Sequence, residues 1–189
     1  MMALAFDQAG YFTAAQALEI GYTYQAQKYH ADHGNWIRVD RGLFRLPEWP
    51  SRPEDAYVRW VLWSRGRGVI SHETALVIHD LSDVNPEAIH LTVDPSFTAH
   101  DDAVVLHSAA LPNADIEHHG AWSVTTPERT LLDVAGSELS QEHVDRAVAD
   151  ALARGLVTRR RLLRRSDAAA DRAALRLERA TAAATAGSA

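Results

Sequence analysis

The stretch Phe12-Thr13-Ala14-Ala15-Gln16-Ala17-Leu18-Glu19-Ile20-Gly21-Tyr22-Thr23-Tyr24-Gln25-Ala26-Gln27-Lys28-Tyr29-His30-Ala31-Asp32-His33-Gly34 decides how the N-terminal part of this chain reads. Thr13 is a natural N-cap for a short helix that Gly21 stops, where a left-handed C-cap costs little. Thr23 caps a second helix, which ends at Gly34. The period then changes from helical to two-fold. Trp36-Ile37-Arg38-Val39 and Leu43-Phe44-Arg45-Leu46 flank the turn Asp40-Arg41-Gly42, with glycine where a positive φ is wanted. Helix, tight turn, helix and hairpin within residues 12–46 is the plan of a winged helix-turn-helix, and it predicts nucleic-acid binding.

The second helix has few large aliphatic residues, which leaves surface for a partner. Thr23, Tyr24, Gln25, Gln27 and Lys28 are of types that hydrogen-bond base edges or phosphates, and Arg38, Arg41 and Arg45 lie on the hairpin as a wing would need. These eight residues are the expected DNA-binding set, with Arg41 at the wing tip reaching a minor groove. Residues 23–47 carry four basic and two acidic groups, a modest electrostatic footprint. One module makes too few contacts for tight binding, so two copies on repeated half-sites are expected.

Composition bounds the alternatives. The 189 residues, 47% hydrophobic, suffice for one good core or a core plus a small module. No apolar run reaches bilayer length and no signal-peptide pattern is present, so a soluble cytoplasmic protein without membrane partners is expected. Cysteine is absent, which excludes disulfides and thiolate metal sites. The formal net charge of −6 conceals an asymmetry. Residues 51–150 have 6 basic against 17 acidic groups, whereas residues 151–189 have 9 against 3. An acidic middle should face away from DNA. The basic C-terminal arm could meet nucleic acid, an acidic protein surface, or the chain's own acidic middle.

Pro47-Glu48-Trp49-Pro50-Ser51-Arg52-Pro53 is a connection through which no helix can run, so three segments are expected: a winged domain over 1–47, an α+β domain over 54–165, and an Ala/Arg-rich helical tail over 166–189. In the second segment, helices are expected over 54–65 and from Ser71 to His79, with strands at 89–93 and 103–107. A hairpin is expected across Gly120, and helices after Thr126, Ser140 and Thr158. The tail reads as peripheral, because it is poor in large apolar residues.

Gly68-Val69-Ile70-Ser71-His72-Glu73-Thr74-Ala75-Leu76 through His79-Asp80-Leu81, then Ile89-His90-Leu91-Thr92-Val93, then Trp122-Ser123-Val124-Thr125-Thr126-Pro127-Glu128-Arg129-Thr130-Leu131-Leu132-Asp133-Val134-Ala135 resembles the AbiEi-type antitoxin family. The resemblance covers roughly residues 10–165. It implies an α+β chain with an N-terminal winged helix-turn-helix and a mixed α/β antitoxin-like domain. It further implies a transcriptional autorepressor and antitoxin of a type IV toxin–antitoxin pair, whose partners are double-stranded DNA of its own promoter and a nucleotidyltransferase-like toxin. The alternative is a protein-interaction module that binds a toxin or another partner directly, with the winged domain as scaffold.

No enzyme and no cofactor are expected. The ten histidines lack a metal-ligand spacing: Leu76 stands where a zincin would need its second histidine after His72-Glu73. His90 and His107 would be neighbours only if their strands pair. Ser71 and His72, adjacent at a helix start, are not expected to face each other as nucleophile and base. Lys28 is the only lysine, so the Asp…Glu-x-Lys arrangement of magnesium nucleases cannot be built. Asp94, Asp101 and Asp102 read as a solvated loop. Arg129 and Asp133 read as an i,i+4 pair.

Overall fold

The computed structural model describes residues 1–167 and 169–186, and it is a mixed α+β structure in two compact units. One unit comprises Met1–Gly68 with His118–Ser123, the other Val69–Glu117 with Val124–Ala189. No helix among the described residues is long and apolar enough to cross a membrane.

The first unit begins with α1 (Met2–Asp7), followed by β1 (Tyr11–Thr13), α2 (Ala14–Glu19) and α3 (Tyr24–Asp32). The hairpin β2 (Ile37–Asp40) and β3 (Leu43–Arg45) completes a three-stranded antiparallel sheet of order β1-β3-β2. Thr13 caps α2 in a full capping box with Gln16, and Thr23 caps α3 by accepting from the Ala26 amide. β1 is an element that the sequence reading folds into the first helix. Its backbone is extended because Phe12 pairs with Phe44 across the sheet and packs edge-to-face on Trp36 in the core. Gly10, at φ +82°, lies so close to the Trp49 ring that a Cβ would come within 2.4 Å of it.

The expected boundary between 47 and 54 is not where the compact units divide. Helix α4 (Asp55–Trp63) belongs to the first unit, because Val58 and Leu62 bury against Tyr11 and Leu43. A prolyl connection stops a helix, but it does not stop the next helix folding back.

The larger sheet has order β6-β5-β4-β8-β7, from β4 (Gly68–Ile70), β5 (Ile89–Val93), β6 (Val104–Ser108), β7 (Ile116–His119) and β8 (Trp122–Thr125). β5 and β6 are parallel with Ile89 opposite Val104, and β4 and β8 are parallel with Ile70 opposite Val124. Helices α5 (His72–His79), α6 (Pro127–Gly136), α7 (Gln141–Ala153), α8 (Arg159–Ser166) and α9 (Asp171–Ala186) build the main apolar core of the second unit. Thr126, Ser140 and Thr158 cap α6, α7 and α8 as their positions suggest.

Helix α9 corrects the expectation of a peripheral tail. Ala173, Leu177 and Ala180 are buried among residues of α6 and α7, and Arg176 donates to the carbonyls of Ala135, Ser137 and Leu139. Small side chains let the helix approach closely, so a sequence poor in large apolar residues still forms core. The C-terminal residues Gly187, Ser188 and Ala189 of the expected tail lie outside the described residues, as does Ala168.

Candidate nucleic-acid interface and a second polar cavity

Helix α3 and the hairpin bring part of the expected set together. Tyr24, Lys28, Arg38 and Gly42 line a concavity of about 480 Å³, and Tyr24 also borders a neighbouring one with Arg41. Tyr24 is 70% exposed, and Gln25 and Arg41 are exposed. Arg38 lies 5.5 Å from the Phe44 ring centroid, which holds its guanidinium near the sheet surface. Thr23 is engaged as the cap of α3. Lys28 Nζ sits 2.6 Å from Asp32 Oδ2 on the exposed face, and the ammonium holds the Asp32 carboxyl below its usual range.

Two members of the set are committed to other contacts, although Gln27 also borders the 480 Å³ concavity. Gln27 is only 3% exposed, and its amide donates to the Ala14 and Tyr22 carbonyls at 3.0 and 2.9 Å. It locks α3 onto α2 from the packed side of the helix, where its amide is committed to those two carbonyls. Arg45 is also inside: its guanidinium lies 2.8 Å from Asp55 and donates to the Trp49 carbonyl, with the two side chains 15% and 11% exposed. It ties β3 to α4 and is no wing contact. Sequence reasoning missed Tyr29, 56% exposed and stacked on His33 at 4.0 Å, and Ile37, 45% exposed on β2.

The second unit holds a polar cluster around the start of α5. Thr92 Oγ1 donates to Ser71 Oγ at 2.8 Å, and Ser71 Oγ lies 2.9 Å from His72 Nδ1. The expectation that Ser71 and His72 do not face each other is therefore wrong. His72 takes φ +51°, a left-handed conformation that swings its ring back onto Ser71. For the same reason Ser71 makes no side-chain cap on α5, contrary to its position at the helix start. Ser71 is fully buried, so it offers no nucleophile to a substrate.

The His72 ring stacks on His107 at 3.4 Å, and His107 Nε2 lies 3.1 Å from His90 Nδ1. β5 and β6 do pair, with His90 opposite Val105 and Thr92 opposite His107. Burial and the neighbouring histidines push His72 down to about 2 and His107 to about 4, so both rings are neutral near pH 7. No group of three or more histidines and carboxylates that could hold a metal ion occurs among the described residues.

Beside this cluster, Asp115 accepts from Arg165 at 2.6 and 2.8 Å and from Arg129 at 3.4 Å, which holds its carboxyl low. Arg129 Nε donates to Asp133 Oδ1 at 2.8 Å, as the i,i+4 spacing suggests. Burial nevertheless pushes Asp133 up to about 6. Arg161 pairs with Glu128 at 2.8 Å and Arg172 with Glu138 at 2.6 Å. Much of the basic C-terminal arm thus meets the chain's own acidic middle, the third of the three possibilities open in the sequence. No known family model matches this chain, and no curated protein sequence does.

Proposed function

We propose that this chain is a DNA-binding autorepressor whose first unit acts as a winged helix-turn-helix, with α3 in a major groove and the β2–β3 hairpin as the wing. The observation that carries the reading is the shared concavity of Tyr24, Lys28 and Arg38, with Arg41 on the adjoining wall. A polar helix face beside a basic hairpin suits the two jobs of base reading and phosphate positioning. The corrected reading surface is Thr23, Tyr24, Gln25, Lys28, Arg38 and Arg41. Supported by the AbiEi-type resemblance, the proposal extends to an antitoxin role in a type IV pair, with a nucleotidyltransferase-like toxin as partner and a cytoplasmic location.

A gel-shift titration on the chain's own upstream region, at two salt concentrations, tests this. Salt-sensitive binding that prefers the upstream region over an unrelated duplex is expected. The Arg41→Ala change should weaken binding to all sequences and reduce the salt slope by about one. Binding no better than to the unrelated duplex would sink the reading. It would favour the second one, a protein-binding module, for which the exposed Tyr24, Tyr29 and Ile37 offer apolar contact area.

A further inference from the structure

Helix α4 ends on a residue type that its backbone disfavours. The C-cap is Ser64, and the next two residues, Arg65 and Gly66, take positive φ, +59° and +72°. The Arg65 amide donates to the Leu62 carbonyl and the Gly66 amide to the Val61 carbonyl, each at 2.9 Å, the paired closure of a Schellman motif. The residue after the cap in that motif is usually glycine, because a Cβ is crowded in the left-handed region. Asparagine and aspartate offset the cost with a local hydrogen bond, and arginine does neither. An arginine held there points to a use for its side chain.

Arg65 borders a concavity of about 700 Å³ whose lining lies entirely within the first unit. Arg41, at the turn between β2 and β3, and Tyr24, at the start of α3, border the same space. Arg41 and Arg65 are both exposed, and neither guanidinium makes an ion pair or hydrogen bond among the described residues. Among those residues no carboxylate lines this concavity, nor the adjoining one that carries Lys28 and Arg38. Two uncommitted cations thus share a space with no acid to neutralise them, which raises the local positive potential and favours an anion.

We propose that Arg65 is a second phosphate clamp for duplex DNA, so that the backbone beside the wing crosses this concavity with one phosphate on Arg41 and another on Arg65. The inference rests on the DNA-binding reading of the first unit. The guanidinium fork suits phosphate oxygens. Tyr24 joins the two concavities, so the acid-free surface continues from Arg65 past Arg41 to Lys28 and Arg38. A surface of that extent fits a polyanionic chain and leaves most of its cations idle with a single small anion.

The test is a gel-shift titration of the full chain on its upstream duplex and on an unrelated one, at two salt concentrations, with thermal melts of each protein. Arg65→Gly should weaken binding to both duplexes about fivefold at the lower salt and reduce the salt slope by about one. Its melting temperature should equal or exceed that of the wild type, because glycine relieves the left-handed position. Arg179→Ala, which removes one exposed charge from the second unit, should leave the salt slope unchanged. Wild-type binding that Arg65→Gly leaves unaltered would overturn the clamp and leave the DNA-binding reading standing. An equal loss in Arg179→Ala would overturn the clamp as well, since net charge alone would then explain the effect. A lower melting temperature in Arg65→Gly would show that the arginine serves the helix dipole and the fold, which also overturns it. Absence of any wild-type binding would sink the clamp and the reading together.

Discussion

Gln27 and Gln25 are the same residue type, two positions apart on one helix, and they have opposite jobs. The Gln27 amide bridges the Ala14 and Tyr22 carbonyls from a buried position, while Gln25 stands in solvent. Gln27→Ala strands both carbonyls and should cost about 2 kcal/mol, from two buried hydrogen bonds of about 1 kcal/mol each. Urea melts of the full chain would measure it, and a loss in DNA binding without a loss in stability would contradict the assignment. Gln25→Ala should leave the urea midpoint unchanged and relax operator specificity. Asp32 offers a separate test. Its carboxylate neutralises Lys28 on the exposed face of α3, so Asp32→Ala frees a cation. The exposed pair itself adds little to stability. DNA affinity should rise severalfold at low salt, with a steeper salt dependence in the gel shift.

At the scale of elements, β3 and α4 are held by the Arg45–Asp55 pair, and this pair is imperfect. Arg45 Nε and Asp55 Oδ1 are both buried without partners. Removing one member leaves a buried charge, so Asp55→Ala should cost about 3–5 kcal/mol. The double change Arg45→Met, Asp55→Leu removes both desolvated charges and should recover most of that loss, as a thermal-melt cycle of the four proteins would show. A double variant as unstable as Asp55→Ala would mean that the pair also sets the geometry of α4. Helix α9 is the other element whose role is decided by contact. Leu177 is fully buried among α6 and α7 residues. Leu177→Ala should therefore cost about 2–5 kcal/mol, measured by urea unfolding, whereas a peripheral helix would lose almost nothing.

Over the whole molecule, the second unit's buried histidines set a pH dependence. His72 titrates near 2 and His107 near 4, both below the ordinary value of 6.5. The unfolded chain therefore binds more protons than the folded one below pH 6.5, and stability falls as pH drops through that value. Asp133, raised to about 6, acts in the opposite direction: between 6 and its ordinary 3.8 the folded state holds the extra proton. His72 and His107, with His90 lowered by burial in the same direction, outweigh the one carboxyl and leave a net loss on the order of 2 kcal/mol by pH 5, with His107 discounted for its partial exposure. Melting temperature followed from pH 7 to 5 should fall. His72→Asn, which tolerates the positive φ, should flatten that slope. A melting temperature that rises on acidification would show that Asp133 outweighs the histidines.

The caps at Thr13, Thr23, Thr126, Ser140 and Thr158 and the hairpin turn before Leu43 were readable from the residues, because a cap or a turn is completed within three or four positions. The Arg129–Asp133 pair was readable for the same reason of short range. Strand β1 was not, since three residues become a strand only when Phe44 lies opposite Phe12. Nor could spacing say that Arg45 is inside and Arg41 outside, because the answer is Asp55 on another element. The sequence by itself therefore determined the mixed α+β character, the helix starts at Thr13, Thr23, Thr126, Ser140 and Thr158, and the polar character of α3. Only the tertiary structure decided which glutamine and which arginines remain free, that α9 is core, and that Ser71, His72, Thr92 and His107 meet. These outcomes rest on pairings between residues distant along the chain, whose closure depends on packing that no local pattern encodes.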